Sequence, residues 1–430
     1  MAKITINANK IIGPVKEVNA VGQPPIIGWS DSSMFHYLTE AGMPYARLHD
    51  TGGGFGGGRF VDIHNIFPDF NADPDDPESY VFTFTDPLIT ALTEAKVEPY
   101  FRLGETIENE HWRRAFYIHP PKDFAKWGKI CTGIIRHYTQ GWANGFYYPI
   151  RYWEIWNEPD ANFDIEKNNM WKGTFQQYID LYITASKIIK AEFPEVKVGG
   201  YAAIGFYPVV SDKEKTNELA WWRIQCVDDF LTRVKEANAP LDFFSWHSYG
   251  EADPIFTYAE YCADTLKRCG FEGLEQHLNE WNWEPHLRGT ATHAANTAAV
   301  LTVLQKSKVD KAMFYDARCG VSIFGSLFNP MTREPLKGYW SFIAFNELFR
   351  RGTQIFGEAD TEKFYVLAAK NEDDCAIMIS NKTGEKQNLD LDLNGLKITS
   401  CRILDNTHDL TPVCMPESIP TDTVLLLTAK

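Results

Sequence analysis

From about residue 31 to residue 350 the chain alternates short apolar runs with longer stretches whose apolar positions recur every three or four residues. The first pattern predicts buried parallel strands and the second amphipathic helices. Eight strand runs are expected at 44–50, 61–67, 97–103, 152–157, 197–202, 243–248, 276–280 and 312–316, with helices at 87–95, 123–137, 175–192, 218–237, 254–269, 292–306 and 339–350. Eight strands with helices between them close into a barrel more naturally than they form an open sheet. The expectation is an α/β fold, a (β/α)8 TIM barrel over residues 26–350.

Past residue 353 the period changes to two. Runs at 364–368, 375–381, 387–391, 398–404 and 423–429, separated by turn clusters, predict an accessory β-sandwich over 351–430. Ile4-Thr5-Ile6-Asn7-Ala8 alternates in the same way, so residues 1–25 are expected to pair with that C-terminal sheet before the chain enters the barrel. Between the first strand run and the second lies Gly52-Gly53-Gly54-Phe55-Gly56-Gly57-Gly58-Arg59. It has neither the lysine of a P-loop nor the immediate helix of a dinucleotide loop, and reads as a flexible loop at the barrel mouth.

Composition narrows the partner. A formal charge of -15 disfavours nucleic acid and anionic surfaces, whose affinity comes from clustered Lys and Arg. No run of about 20 apolar residues is present to span a bilayer. Aromatic residues reach 14%, an excess suited to stacking on the flat faces of sugar rings, so a neutral oligosaccharide or polysaccharide is the expected partner. The eight cysteines fall at irregular spacings without a Cys-x-x-Cys and are expected to be free thiols. Met1-Ala2-Lys3-Ile4-Thr5-Ile6 lacks the apolar core of an export signal, which places the protein in the cytoplasm, or in the periplasm or outside the cell if such a signal has been removed. No metal or organic cofactor is expected.

The chemistry sits at the strand ends. Glu158 closes the run Trp153-Glu154-Ile155-Trp156-Asn157-Glu158-Pro159, and Glu280 lies in Leu278-Asn279-Glu280-Trp281-Asn282-Trp283. Both carboxylates should emerge where the fourth and seventh strands leave the barrel, as an acid and a nucleophile across a tryptophan-lined cleft. Trp281 and Trp283 both lie at this strand end, where one can stack on sugar while the other packs inside. Glu105 after the third strand, and Asp316 and Arg318 after the eighth, are expected at the cleft by position alone.

Asn157-Glu158-Pro159, His247-Ser248-Tyr249 and Glu280, in this order on the fourth, sixth and seventh strands, resemble a clan A glycoside hydrolase. Together with Arg47-Leu48-His49, the Trp-Glu-Ile-Trp-Asn-Glu-Pro run and the appended sheet, they are most similar to family 39, which includes β-xylosidases and α-L-iduronidases. The resemblance implies that Glu158 is general acid and then base, that Glu280 forms a covalent glycosyl-enzyme, and that Asn157 bonds the sugar 2-hydroxyl. It further implies that Tyr249 orients Glu280, that His247 lies beside the acid, and that Arg47 and His49 line the terminal sugar subsite. Xylosidases of the family usually carry Gly after that His, whereas this chain has Asp50, an acceptor that would select a different or additional hydroxyl. Arg318 would suit a uronic acid carboxylate, with Asp316 opposing it. The expected activity is therefore retaining hydrolysis of xylose-, arabinose- or related glycosides. The rival expectations are an endo-acting clan A hydrolase of a branched polysaccharide and a carbohydrate-binding barrel that has lost catalysis.

Overall fold

The computed structural model describes residues 2–25, 34–51, 60–106, 118–212, 215, 217–320 and 322–430. The Gly-rich stretch at 52–59 lies outside these residues, as does 107–117, so the loop expected at the mouth is not described.

Strand β1 (Ala2–Pro14) is followed by eight strands that close into a parallel barrel in chain order: β2 (Glu17–Gly22), β3 (Tyr45–Arg47), β4 (Glu98–Leu103), β5 (Tyr152–Ile155), β6 (Lys197–Ala203), β7 (Phe243–Tyr249), β8 (Glu275–Asn282) and β9 (Lys311–Phe314). Seven of the eight expected runs, the one at 44–50 and the six from 97 onward, fill positions two to eight; the remaining one does not. Residues 61–67 form no strand: Ile63–Ile66 is a short helix, and Val61, Ile63, Ile66 and Phe67 are all buried along it. A four-residue apolar pattern of this kind fits a helical turn as well as an alternating strand. The missing strand is β2, which lies ahead of the expected barrel start and pairs with both β3 and β9. Arg47 and His49 thus belong to the end of the second strand, not the first. The numbering of the third to eighth strands is unaffected.

Inward positions fall two apart along each strand, and this period builds the interior in layers. Ala20, Tyr45, Tyr100, Tyr152, Phe243 and Met313 form a plug at one level. Two residues further along their strands come Arg47, Arg102, Glu154 and Ser245, all buried. The barrel floor is therefore greasy and the layer under the mouth is charged.

The rest of the chain supplies β10 (Thr353–Ala359), β11 (Phe364–Lys370), β12 (Cys375–Asn381), β13 (Gln387–Asp392), β14 (Ile398–Leu404), β15 (Thr411–Pro412), β16 (Ser418–Ile419) and β17 (Thr423–Ala429). With β1 they make one nine-stranded sheet in the order β15-β14-β17-β12-β11-β10-β1-β13-β16. Its pairs are antiparallel except β1 with β13, where Ala2 lies opposite Leu389. One face is a core of its own, in which Ile4, Ile377, Ile419 and Leu427 meet from strands far apart in the sheet order, so the sheet curls round them. The alternate residues, among them Met378, Val424 and Leu426, join the barrel core instead. Helix Ala291–Lys306 lies between barrel and sheet, which explains why it is apolar nearly all round. Ser380 Oγ donates across the junction to Ala295 O at 2.7 Å.

Candidate active site

The described cysteines are all free thiols, and among the described residues no helix is long and apolar enough to cross a membrane. The chemistry gathers instead in a cavity of about 870 Å³ at the C-terminal mouth of the barrel, whose wall includes His49, Asn157, Glu158, Tyr249 and Glu280.

Arg47 organises this mouth from below. Its Nε donates to Glu154 Oε2 at 2.7 Å, its Nη1 to Glu280 Oε1 at 2.8 Å, and its Nη2 to Asn157 Oδ1 at 2.7 Å. The two carboxylates raise its already high pKa against the opposing effect of burial. Glu154 also accepts from Ser245 Oγ at 2.5 Å and from Asn279 Nδ2, so the charge beneath the site is fully partnered. Glu154, Ser245 and Asn279 were not singled out by sequence reasoning. Glu154 had a signal, since a carboxylate inside an apolar strand run must find a cation.

Glu158 leaves β5 through a turn in which Trp156 and Glu158 both adopt left-handed backbone, with φ of 73° and 45°. Such strain persists only when the surroundings enforce it. Trp156 is pinned by its ring N–H to Met170 O at 2.8 Å, and Glu158 N donates to Ala202 O at 3.2 Å. The Glu158 carboxyl is hydrogen-bonded to His247 Nδ1 at 2.6 Å, and His247 Nδ1 lies 3.5 Å from Glu280 Oε2. Burial holds His247 down to about 4, against the pull of Glu280, so the imidazole is neutral at pH 7. Burial pushes Glu158 up to about 7. Glu280 is also raised by burial, while His247 and Arg47 pull it back and Tyr249 OH donates to its Oε2 at 2.7 Å. One oxygen of each glutamate and a nitrogen of His247 all lie within 4.8 Å of one another.

The other expected residues divide. Trp283 lines the cavity. Trp281 does not: it is 2% exposed, packs edge-on against Phe314 at 5.0 Å and stacks on Phe342 at 6.2 Å, in the layer between strands and helices. Its place as a substrate contact is corrected by the strand alternation that sends Glu280 inward. Glu105 also misses the cavity formed by the described residues. It accepts from His64 N at 3.3 Å and pairs with the His64 ring, beside Asp62, which is held by Arg102 Nη2 at 2.6 Å and by Thr106. Asp62, His64 and Glu105 form a second cluster with metal-ligand spacing, but protein donors engage each carboxylate. Asp50 is buried behind His49, 3.3 Å from its Nε2, and accepts from Tyr315 OH at 3.0 Å. Asp316 accepts from Ser322 Oγ at 2.6 Å, and burial raises it to about 7. Arg318 donates to Asp50 O at 3.2 Å and lies 3.8 Å from Asp316, outside the cavity wall.

Asn282 is a further residue that motif reading passed over. It lines the cavity and ties β8 to the loop after β9, donating to Tyr315 O at 2.6 Å and Phe324 O at 3.0 Å. Only the folded loops reveal those carbonyls.

Paired carboxylates at the ends of the fourth and seventh strands of a parallel barrel, above a buried arginine, have the layout of a glycoside hydrolase site. The comparisons agree. Residues 23–312 match the model of the glycosyl hydrolases family 39, and the chain belongs to that family. A β-xylosidase of Caldicellulosiruptor saccharolyticus is 30% identical over 179 residues, a stretch that covers 40% of this chain and 31% of the relative, so the match spans about a third of that protein's length. Among solved structures, a glucosidase from Croceicoccus marinus superposes over 100% of this chain and 99% of its own with a TM-score of 0.78 at 21% identity. A monomeric β-xylosidase from Caulobacter crescentus CB15 does so over the same shares with a TM-score of 0.71 at 15% identity. These two likenesses show the shared fold, barrel with accessory sheet.

Proposed function

We propose that the protein is a retaining glycoside hydrolase of neutral, xylose- or arabinose-type sugars, with Glu158 as acid and base and Glu280 as nucleophile. The observation that carries this is the unequal setting of two carboxyls whose nearest oxygens lie within 4.8 Å. Retaining enzymes work with carboxyls about 5 to 5.5 Å apart, whereas inverting ones need room for a water between them. Glu158, raised to about 7, holds a proton near neutrality. Glu280, gripped by Arg47 and Tyr249, is the group oriented to attack.

In the first step Glu280 attacks the anomeric carbon while Glu158 gives its proton to the departing glycosidic oxygen, whose bond to that carbon breaks. In the second, ionised Glu158 takes a proton from water, the water oxygen bonds to the anomeric carbon, and Glu280 is released. Asn157 has its Oδ1 occupied by Arg47, which leaves Nδ2 as the donor for the 2-hydroxyl. His49 lines the cavity, and its Nδ1 is buried with no partner among the described residues, a ring nitrogen free to meet a sugar hydroxyl.

Arg318 is engaged by Asp50 and Asp316, which argues against a uronic acid substrate. The test is azide rescue. With an activated aryl glycoside, Glu280→Ala in azide should yield the glycosyl azide of inverted anomeric configuration and Glu158→Ala that of retained configuration. Rescue with the opposite assignment, or undiminished turnover in either variant, would overturn the roles.

A further inference from the structure

We infer that the accessory sheet sets the leaving-group side of the cleft: Lys382 and Asp422 are positioning residues that hold Trp283 as a platform for a neutral saccharide leaving group. This rests on the hydrolase reading above.

The terminal sugar must lie deep, between Glu158 and Glu280, so the departing sugar extends toward the mouth. Trp283 stands there, half-buried, three residues beyond Glu280, in the same wall as Ser211, Glu251 and Glu284. An indole offers an uncharged sugar ring a flat apolar face. The two carboxylates beside it disfavour an anionic one.

The platform is held from the accessory sheet. Lys382, just after β12, places Nζ 5.1 Å from the Trp283 ring centroid and does not itself line the cavity, so it covers ring surface that the substrate does not use. That ammonium is not loose. It donates to Asp422 Oδ1 at 2.6 Å, and Asp422 Oδ2 accepts from Thr292 Oγ1 at 2.8 Å on a barrel helix. Lys382 N donates to Lys363 O at 2.8 Å and Asp422 N to Asn381 O at 2.7 Å, fixing both residues to the sheet backbone. On the barrel side Trp283 N donates to Asn282 Oδ1 at 2.6 Å. The indole is thus clamped between the two parts of the molecule, and its tilt is a property of their junction.

The experiment compares a disaccharide with the fluoride of the same glycosyl unit, whose leaving group has no ring to stack. Lys382→Met should raise KM for the disaccharide about five- to tenfold, the range of a cation–π contact, and leave the fluoride unchanged. Lys382→Arg, which keeps a cation over the ring, should restore the disaccharide KM. Equal losses on both substrates, no loss on either, or no rescue by arginine would overturn the inference. Disaccharide binding to Glu280→Ala, with and without Lys382→Met, needs no turnover and should weaken by the same factor. Wild-type inactivity on every glycoside, with binding still sensitive to Lys382, would then sink the hydrolase reading alone; binding indifferent to Lys382 would sink the platform.

Discussion

Arg47 reaches Glu280 through Nη1 at 2.8 Å with essentially no solvent at either side chain, and the same guanidinium grips Glu154 at 2.7 Å. One cation therefore pairs with two buried carboxylates and presents one of them to the cavity. Removing it leaves both uncompensated. Arg47→Met is expected to cost on the order of 3–5 kcal/mol of stability, the penalty of breaking a buried ion pair from one side, and to abolish turnover. Urea unfolding measures the first; a loss below about 1 kcal/mol would mean that the guanidinium is not the partner these carboxylates depend on.

Glu158 makes the enzyme's pH response. Its folded pKa of about 7 lies above the ordinary 4.5 because burial penalises the charged form. In the proposed mechanism kcat/KM falls as pH rises through about 7, where the acid loses its proton. A raised carboxyl also binds its proton more tightly in the folded state, so its contribution to stability is fullest below the unfolded pKa and is lost as pH rises through about 7. Glu158→Gln should therefore raise the free energy of unfolding at pH 8 more than at pH 5, by on the order of 2 kcal/mol, with a correspondingly larger rise in Tm, while eliminating hydrolysis of substrates with poor leaving groups. Equal Tm shifts at the two pH values would contradict the buried-acid assignment.

Tyr249 donates to Glu280 Oε2 at 2.7 Å, and its own pKa is raised by burial and by that carboxylate, so the phenol keeps its proton. Tyr249→Phe deletes a hydrogen bond to a charged group without deleting the ring. Bonds of that kind are worth about 1.5–3 kcal/mol, or roughly 10- to 150-fold in rate if the bond serves catalysis alone. Turnover of an aryl glycoside is the readout, with an unchanged Tm expected to separate orientation from folding.

Much of this was legible in the chain, and the failures have physical causes. The two glutamates could be placed at the fourth and seventh strand ends because continuous apolar runs and turn residues bracket them. β2 was not legible: Glu17–Gly22 is short, carries Asn19 in its middle, and follows closely on β1, so it reads as more of the N-terminal strand. In the fold Asn19 Nδ2 donates to Gly42 O at 3.0 Å. The Arg47–Glu154–Ser245–Asn279 network joins four strands, and no local pattern announces that their inward residues meet at one height. Glu105 lies outside the described cavity and accepts from His64 N, a direction that strand-end position alone does not give.

Trp281 and Trp283 give the sharpest test of that distinction, since they are two residues apart and chemically identical. Trp281 is 2% exposed, wedged between Phe314 and Phe342. Trp283 lies at the cavity rim under Lys382. Trp281→Ala should empty a core site and cost about 3–5 kcal/mol, with KM unchanged in whatever fraction stays folded. Trp283→Ala removes a surface that is half in water, so its stability cost should be smaller, about 1–2 kcal/mol, while KM for a disaccharide rises. Denaturant unfolding and disaccharide kinetics on both variants decide the matter: if Trp281→Ala is the one that shifts KM at near-normal stability, the outward direction assigned to it along β8 is wrong.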